Sequence, residues 1–254
     1  MTKPQTEGNL PLLEHLIELR DRLLRAVLSV LVIFCGLFYF ANDIYEIVSK
    51  PIRDQLPEGS SMIATDITAT FFAPFKLTLM VSLFLAMPVV LHQIWKFVSP
   101  GLYASEKKLA IPMLASSILL FYSGIAFAHF VIFPLIMEFF THIGPASVEI
   151  MPDITQYLAI ALKLFFAFGL AFEIPIAVML VIWSGAATVA SLSDKRPYIV
   201  VGCFVFGMLL TPPDPFSQSM LALPMWMLFE VGLLFGRLVD KSKKEKQEQE
   251  ETET

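Results

Sequence analysis

The stretch "AFGLAFEIPIAVML", residues 167 to 180, places Glu173, and Pro175 two residues after it, inside a run that is otherwise apolar. Extended to residues 155–184, the run is long enough to cross about 30 Å of hydrocarbon, so an ionisable group falls near the centre of a membrane span. A charge there costs on the order of 3 kcal/mol on insertion scales, and something must offset it. Two readings stand: a protonated carboxyl hydrogen-bonded to a neighbouring helix for packing, or a polar spot turned to a groove or a partner helix. Lys163 lies ten residues earlier, about 15 Å along the axis and about 80° around it, too far for a salt bridge within the helix, and can snorkel to the outer interface.

The remainder of the chain agrees with a membrane protein. Of 254 residues, 56% are hydrophobic and 16% charged, well beyond the apolar share of an ordinary globular domain. Apolar stretches lie at 23–42, 72–96, 111–138, 155–184, 197–211 and 216–236, which predicts an all-α integral membrane protein of six transmembrane helices. About 25 amphipathic residues precede the first stretch, which ends in "YFANDIY" without a small-residue cleavage site, so it is expected to be a retained span. Cys35 and Cys203 fall inside apolar runs and read as small hydrophobes.

Six spans put both termini on one side, and the basic residues say which. The amino-terminal segment, the second and fourth connections and the tail hold 14 of the 18 lysines and arginines, whereas the opposite connections hold only Lys50 and Arg53. By the positive-inside rule both termini are expected in the cytoplasm. Residues 1–22 form a cytoplasmic segment in which Leu12, Leu16, Leu19 and Leu23 share one face of an amphipathic helix, with Glu14, Glu18, Asp21, Arg22 and Arg25 on another. Residues 23–236 form the membrane domain. The tail, 237–254, is basic then acidic, has little to bury and is expected to be disordered.

The fifth stretch has 15 residues, Pro197 to Thr211, or about 22 Å of helix. That is short of the hydrocarbon thickness, and "TPPDPF" turns it directly into a sixth span carrying Pro224. This edge of the molecule is expected to thin the bilayer or to be covered by partner helices.

Other polar residues admit a plain and a functional reading. Thr211, Asp214 and Ser217 can cap helices and wet a loop, while Gln218 can hydrogen-bond across to another membrane helix. Glu230 and the "GLLFG" of Gly232 to Gly236 are contact candidates, close packing being the plain alternative. Glu18 can pair with Arg22 at i,i+4, and Glu106 with Lys107 or Lys108. Histidines 15, 92, 129 and 142 lack metal-ligand spacing. No phosphate loop or nucleophile elbow is present, so neither a cofactor nor an enzymatic activity is expected.

Four segments together carry a family resemblance: "HLIELRDRLL" (15–24), "FVSPGLYASEKK" (97–108), "AFGLAFEIP" (167–175) and "RPYIVVGCFVFGMLLTPPDPFSQ" (196–218). Their content and order resemble TatC, the multispanning receptor subunit of the twin-arginine protein translocase, over residues 10 to 238. The resemblance implies a curved, glove-like helical wall in the bacterial cytoplasmic membrane, part of a multimeric complex with the single-span proteins TatA and TatB. That complex exports folded proteins at the expense of the proton-motive force. It implies that Glu18 and Glu106, with Arg20, Phe97 and Leu102, bind the twin-arginine signal peptide. Chemistry agrees, since a carboxylate can take a guanidinium fork on two points but a lysine only as a point charge. It further implies that Glu173 is an intramembrane polar site, that Met208, Thr211 and Gln218 contact TatA or TatB, and that Pro51, as a rigid turn in the first outer loop, and Asp214 serve assembly. A proton-coupled transporter of a small solute, with Glu173 as relay, is the competing reading. It wants several midplane polar groups in repeated halves, and the sequence offers one acid and no repeat.

Overall fold

The computed structural model describes residues 10–53, 63, 67–98, 110–143, 153–210 and 214–252. Within these, every regular element is helical, and the chain divides into two compact units, Met1–Ile118 and Leu119–Thr254.

The first unit opens with helix α1, Leu10–Phe38, a single helix of 29 residues. The amphipathic segment and the first span are therefore continuous, with no boundary at residue 22. No proline or glycine interrupts the chain between Leu12 and Cys35, so nothing in it stops the helix there. Proline at position 11 suits the first turn, where its missing N–H is not needed. The span also ends earlier than the apolar run suggests. At Tyr39–Phe40 the backbone tightens, Phe40 N–H donating to Leu37 O at 2.9 Å, and the chain turns by 89° into α2, Ala41–Arg53. Pro51 thus lies inside a helix, and not in a loop turn as its sequence context suggests. Helix α3, Ala69–Val98, packs against α1 and contains Pro74 and Pro88. Phe75 meets Phe34 edge-on, with centroids 5.2 Å apart. On the buried face of α3, Thr78 Oγ1 donates to Pro74 O at 2.8 Å and Ser82 Oγ to Thr78 O at 2.7 Å, satisfying hydroxyls that lipid could not. Trp95 Nε1 donates to Ser117 Oγ at 3.1 Å, tying α3 to the start of α4, Ala110–Phe127.

In the second unit the same span continues through a π turn, Ala128–Ile132, into α5, Phe133–Ile143. Phe133 N–H reaches back five residues to Ala128 O, and Pro134, which has no N–H to give, follows at once; a π turn accommodates such a missing donor. Helices α6, Ile154–Ala171, and α7, Ile174–Trp183, form the next span, Thr155–Trp183, capped by Asp153, whose Oδ1 accepts from Thr155 N at 2.7 Å. A short α8, Val189–Asp194, leads to α9, Arg196–Leu210, and then to α10, Pro215–Thr252. The tail expected to be disordered is helical to Thr252. From Lys243 to Glu251 it is built of lysine, glutamate and glutamine alone, residues of high intrinsic helix propensity that extend a helix already nucleated upstream.

Among the described residues, four segments are long and apolar enough to cross a membrane: Thr70–Phe97, Ile111–Phe140, Thr155–Trp183 and Pro215–Leu238. The first stretch belongs to the bent pair α1–α2, and α9, with 15 residues, is shorter than a comfortable span.

Candidate functional site

At the start of α1, His15 stacks on Phe97 from the last turn of α3, with ring centroids 4.3 Å apart and planes inclined by 23°. Three residues on, Glu18 shares that face of α1. Its Oε1 accepts from both Arg22 Nε, at 3.0 Å, and Arg22 Nη2, while Oε2 stands 3.9 Å from His15 Nδ1. Ile17, Glu18, Asp21, Arg22 and Arg25 line an open cavity of about 400 Å³. Arg20 is not among the lining residues but is tied to one of them, its Nε donating to Asp21 Oδ1 at 2.9 Å. Glu18 and Phe97 therefore come together, joined by a histidine whose sequence spacing marks nothing. The signal that could have found it is the four-residue helical face it shares with Glu18. Leu102 and Glu106 lie outside the described residues.

Glu173 sits at the joint between α6 and α7. Pro175 cannot donate to Ala171 O, and its ring crowds that carbonyl, so the helix tightens just ahead of it. Glu173 N–H bonds Leu170 O, three residues back, at 3.0 Å, and the α pattern resumes with Ala177 N–H to Glu173 O at 2.9 Å. The carboxyl is half-buried and its Oε1 is shielded from solvent. Close packing fixes the joint on two sides. A side chain on Gly124 of α4 would strike the Phe168 carbonyl of α6, and a Cβ on Gly232 of α10 would lie 2.9 Å from Pro175 Cα and 3.0 Å from Val178 Cβ. Gly236 abuts Ile182 in the same way. The "GLLFG" pair is thus consumed inside the second unit, the plain reading of that motif.

At the α9–α10 turn, Asp214 caps α10, its Oδ1 accepting from Ser217 N at 2.7 Å. Gln218 Nε2 donates to Phe204 O of α9 at 2.9 Å, and its backbone carbonyl lies against Gly207. Gln218 does bond across to another membrane helix, and that helix is its own neighbour α9. Met208 is half exposed and Thr211 is outside the described residues. At the other end of this helix pair, Glu230 is gripped by Arg196, a partner the sequence does not indicate.

Apolar helices of spanning length, proline joints inside them and polar side chains spent on neighbouring backbones define an all-helical integral membrane protein. The family model described as "Sec-independent protein translocase protein (TatC)" matches residues 14–224. The Sec-independent protein translocase protein TatC of Azotobacter chroococcum is 61% identical over 234 residues, covering 92% of each chain. That of Escherichia coli K12 is 54% identical over 231 residues, 91% of this chain and 90% of the relative. A crystal structure of the twin arginine translocase receptor TatC superposes with a TM-score of 0.80 at 37% identity, over 88% of this chain and 98% of that one. The chain belongs to the TatC family of Sec-independent protein translocase subunits.

Proposed function

We propose that this translocase subunit is the receptor for twin-arginine signal peptides. Folded precursors dock at the bacterial inner membrane through Glu18 and Glu106, assisted by Arg20, Phe97 and Leu102. Both termini face the cytoplasm, and transport proceeds in a multimeric complex with the single-span TatA and TatB, driven by the proton-motive force. The observation that carries the reading is the accessible carboxylate of Glu18 beside the His15–Phe97 stack, in a chain whose relative of known structure is described as a twin arginine translocase receptor. The distribution of lysine and arginine supports the orientation. The short α9 and the exposed Met208 support a partner helix at that edge, with Thr211 and Gln218 beside it. The half-buried Glu173 supports a polar contact to a partner helix within the membrane, and Pro51 and Asp214 are assigned to assembly.

Mechanistically, the chain's part is recognition and scaffolding. Glu18 is already shaped to accept a guanidinium, since Arg22 approaches one of its oxygens with two donors, and an arginine of the leader takes up the same fork-and-carboxylate geometry. Purification of the chain from detergent with and without an Arg-Arg leader tests this: specific retention of the leader together with co-purification of small single-span proteins is expected. Transport of a small solute by the chain alone, without either, would refute it.

A further inference from the structure

We infer that His15 and Phe97 form an aromatic platform which, with Glu18, makes the pocket selective for guanidinium over ammonium, His15 being the residue that sets this selectivity. The inference rests on the receptor reading above and extends it to a side chain that reading does not need. Two carboxylates attract any cation. The two-point carboxylate fork already favours arginine by geometry, and an aromatic surface adds to that preference by rewarding a flat, delocalised, weakly hydrated cation.

The geometry supplies that face in the right place. His15 and Glu18 lie one turn apart on α1, and Phe97, half-buried at the end of α3, holds the imidazole near parallel at 4.3 Å. The His15 side chain is 56% exposed and that of Glu18 37%, so both the stack and the carboxylate are accessible. Both donors of Arg22 fall on Oε1 of Glu18, whereas Oε2 is turned toward the imidazole at 3.9 Å from Nδ1, beyond hydrogen-bond reach. A guanidinium that takes Oε2 comes within reach of the imidazole. An ammonium at the same point is more strongly hydrated, cannot stack, and gains less from the platform.

The test is equilibrium binding of fluorescent leader peptides, one with Arg-Arg and one with Lys-Lys, to the full chain in nanodiscs. His15→Ala is expected to weaken Arg-Arg binding about two- to fivefold while leaving Lys-Lys binding nearly unchanged, and His15→Phe is expected to restore the difference. Phe97→Leu should show the same split, which guards against a defect peculiar to one variant. Undiminished Arg-Arg binding by His15→Ala, or an equal loss for both peptides, would overturn the inference and leave the receptor reading standing. No Arg-Arg binding by the unaltered chain would overturn both.

Discussion

Arg196, the first residue of α9, holds Glu230 of α10 by a two-point fork, Nε to Oε1 at 2.6 Å and Nη2 to Oε2 at 2.9 Å. The two side chains are 38% and 29% exposed, so they sit where one end of a helix pair leaves the apolar layer. At the opposite end of the same pair Gln218 bonds Phe204 O. Between these two polar ties lie Ala171, Cys203, Ala222 and Met225. Glu230→Ala and Arg196→Ala are each expected to lower the unfolding midpoint in detergent. The double variant should be little worse than either single one, because the residues act as one unit. Additive losses in that cycle would show the pair to be uncoupled.

Gln218→Leu removes the cross-helix bond and is expected to cost about 0.6 kcal/mol and no more than about 1.7 kcal/mol, the average and the maximum for such bonds between membrane helices. Met208→Ala, at an exposed position, should leave stability alone and reduce crosslinking to a single-span partner. Reversed effects of these two variants would move the docking edge away from α9.

Glycines give a sharp internal contrast. A Cβ on Gly232 would crowd Pro175 and Val178, whereas one on Gly202 would meet nothing within 4 Å. Gly232→Ala is expected to destabilise the second unit by about 1–3 kcal/mol, and Gly202→Ala to be neutral or stabilising by up to about 1 kcal/mol. Thermal unfolding of the two variants side by side measures the difference, and equal midpoints would mean that α7 and α10 are not in close contact there.

Glu173→Ala is expected to weaken crosslinking to a single-span partner more than it weakens leader binding, since the carboxyl lies at the α6–α7 joint and the proposed leader site is on α1 and α3. Glu173→Gln, which keeps a polar group of similar size, should retain most of the crosslinking. A larger loss of leader binding than of crosslinking would contradict the assignment.

Much of this was legible in the sequence because lipid imposes a coarse rule: long apolar runs become helices, and the Pro175 joint, the α9–α10 turn and the short α9 all follow from proline chemistry and run length. What was not legible depended on which surfaces meet. His15 is unremarkable until α3 brings Phe97 against it, and Glu230 reads as an orphan until Arg196, 34 residues earlier, is folded onto it. The charged tail shows the reverse limit. A lack of apolar residues argues against burial, but helix propensity alone suffices to prolong a helix begun elsewhere. The right-angled exit from α1 at Tyr39–Phe40 was not legible either, because neither glycine nor proline marks it and the apolar run ends only with Ala41.

The central claim is that paired acids at the head of this membrane scaffold read paired arginines. Its most direct test is the affinity of the full chain for leader peptides carrying Arg-Arg, Arg-Lys, Lys-Arg and Lys-Lys, measured for the unaltered chain and for Glu18→Ala with Glu106→Ala. The account predicts a stepwise loss as each arginine is replaced, and a double variant that binds all four weakly. Tight Arg-Arg binding that survives loss of both glutamates would contradict it.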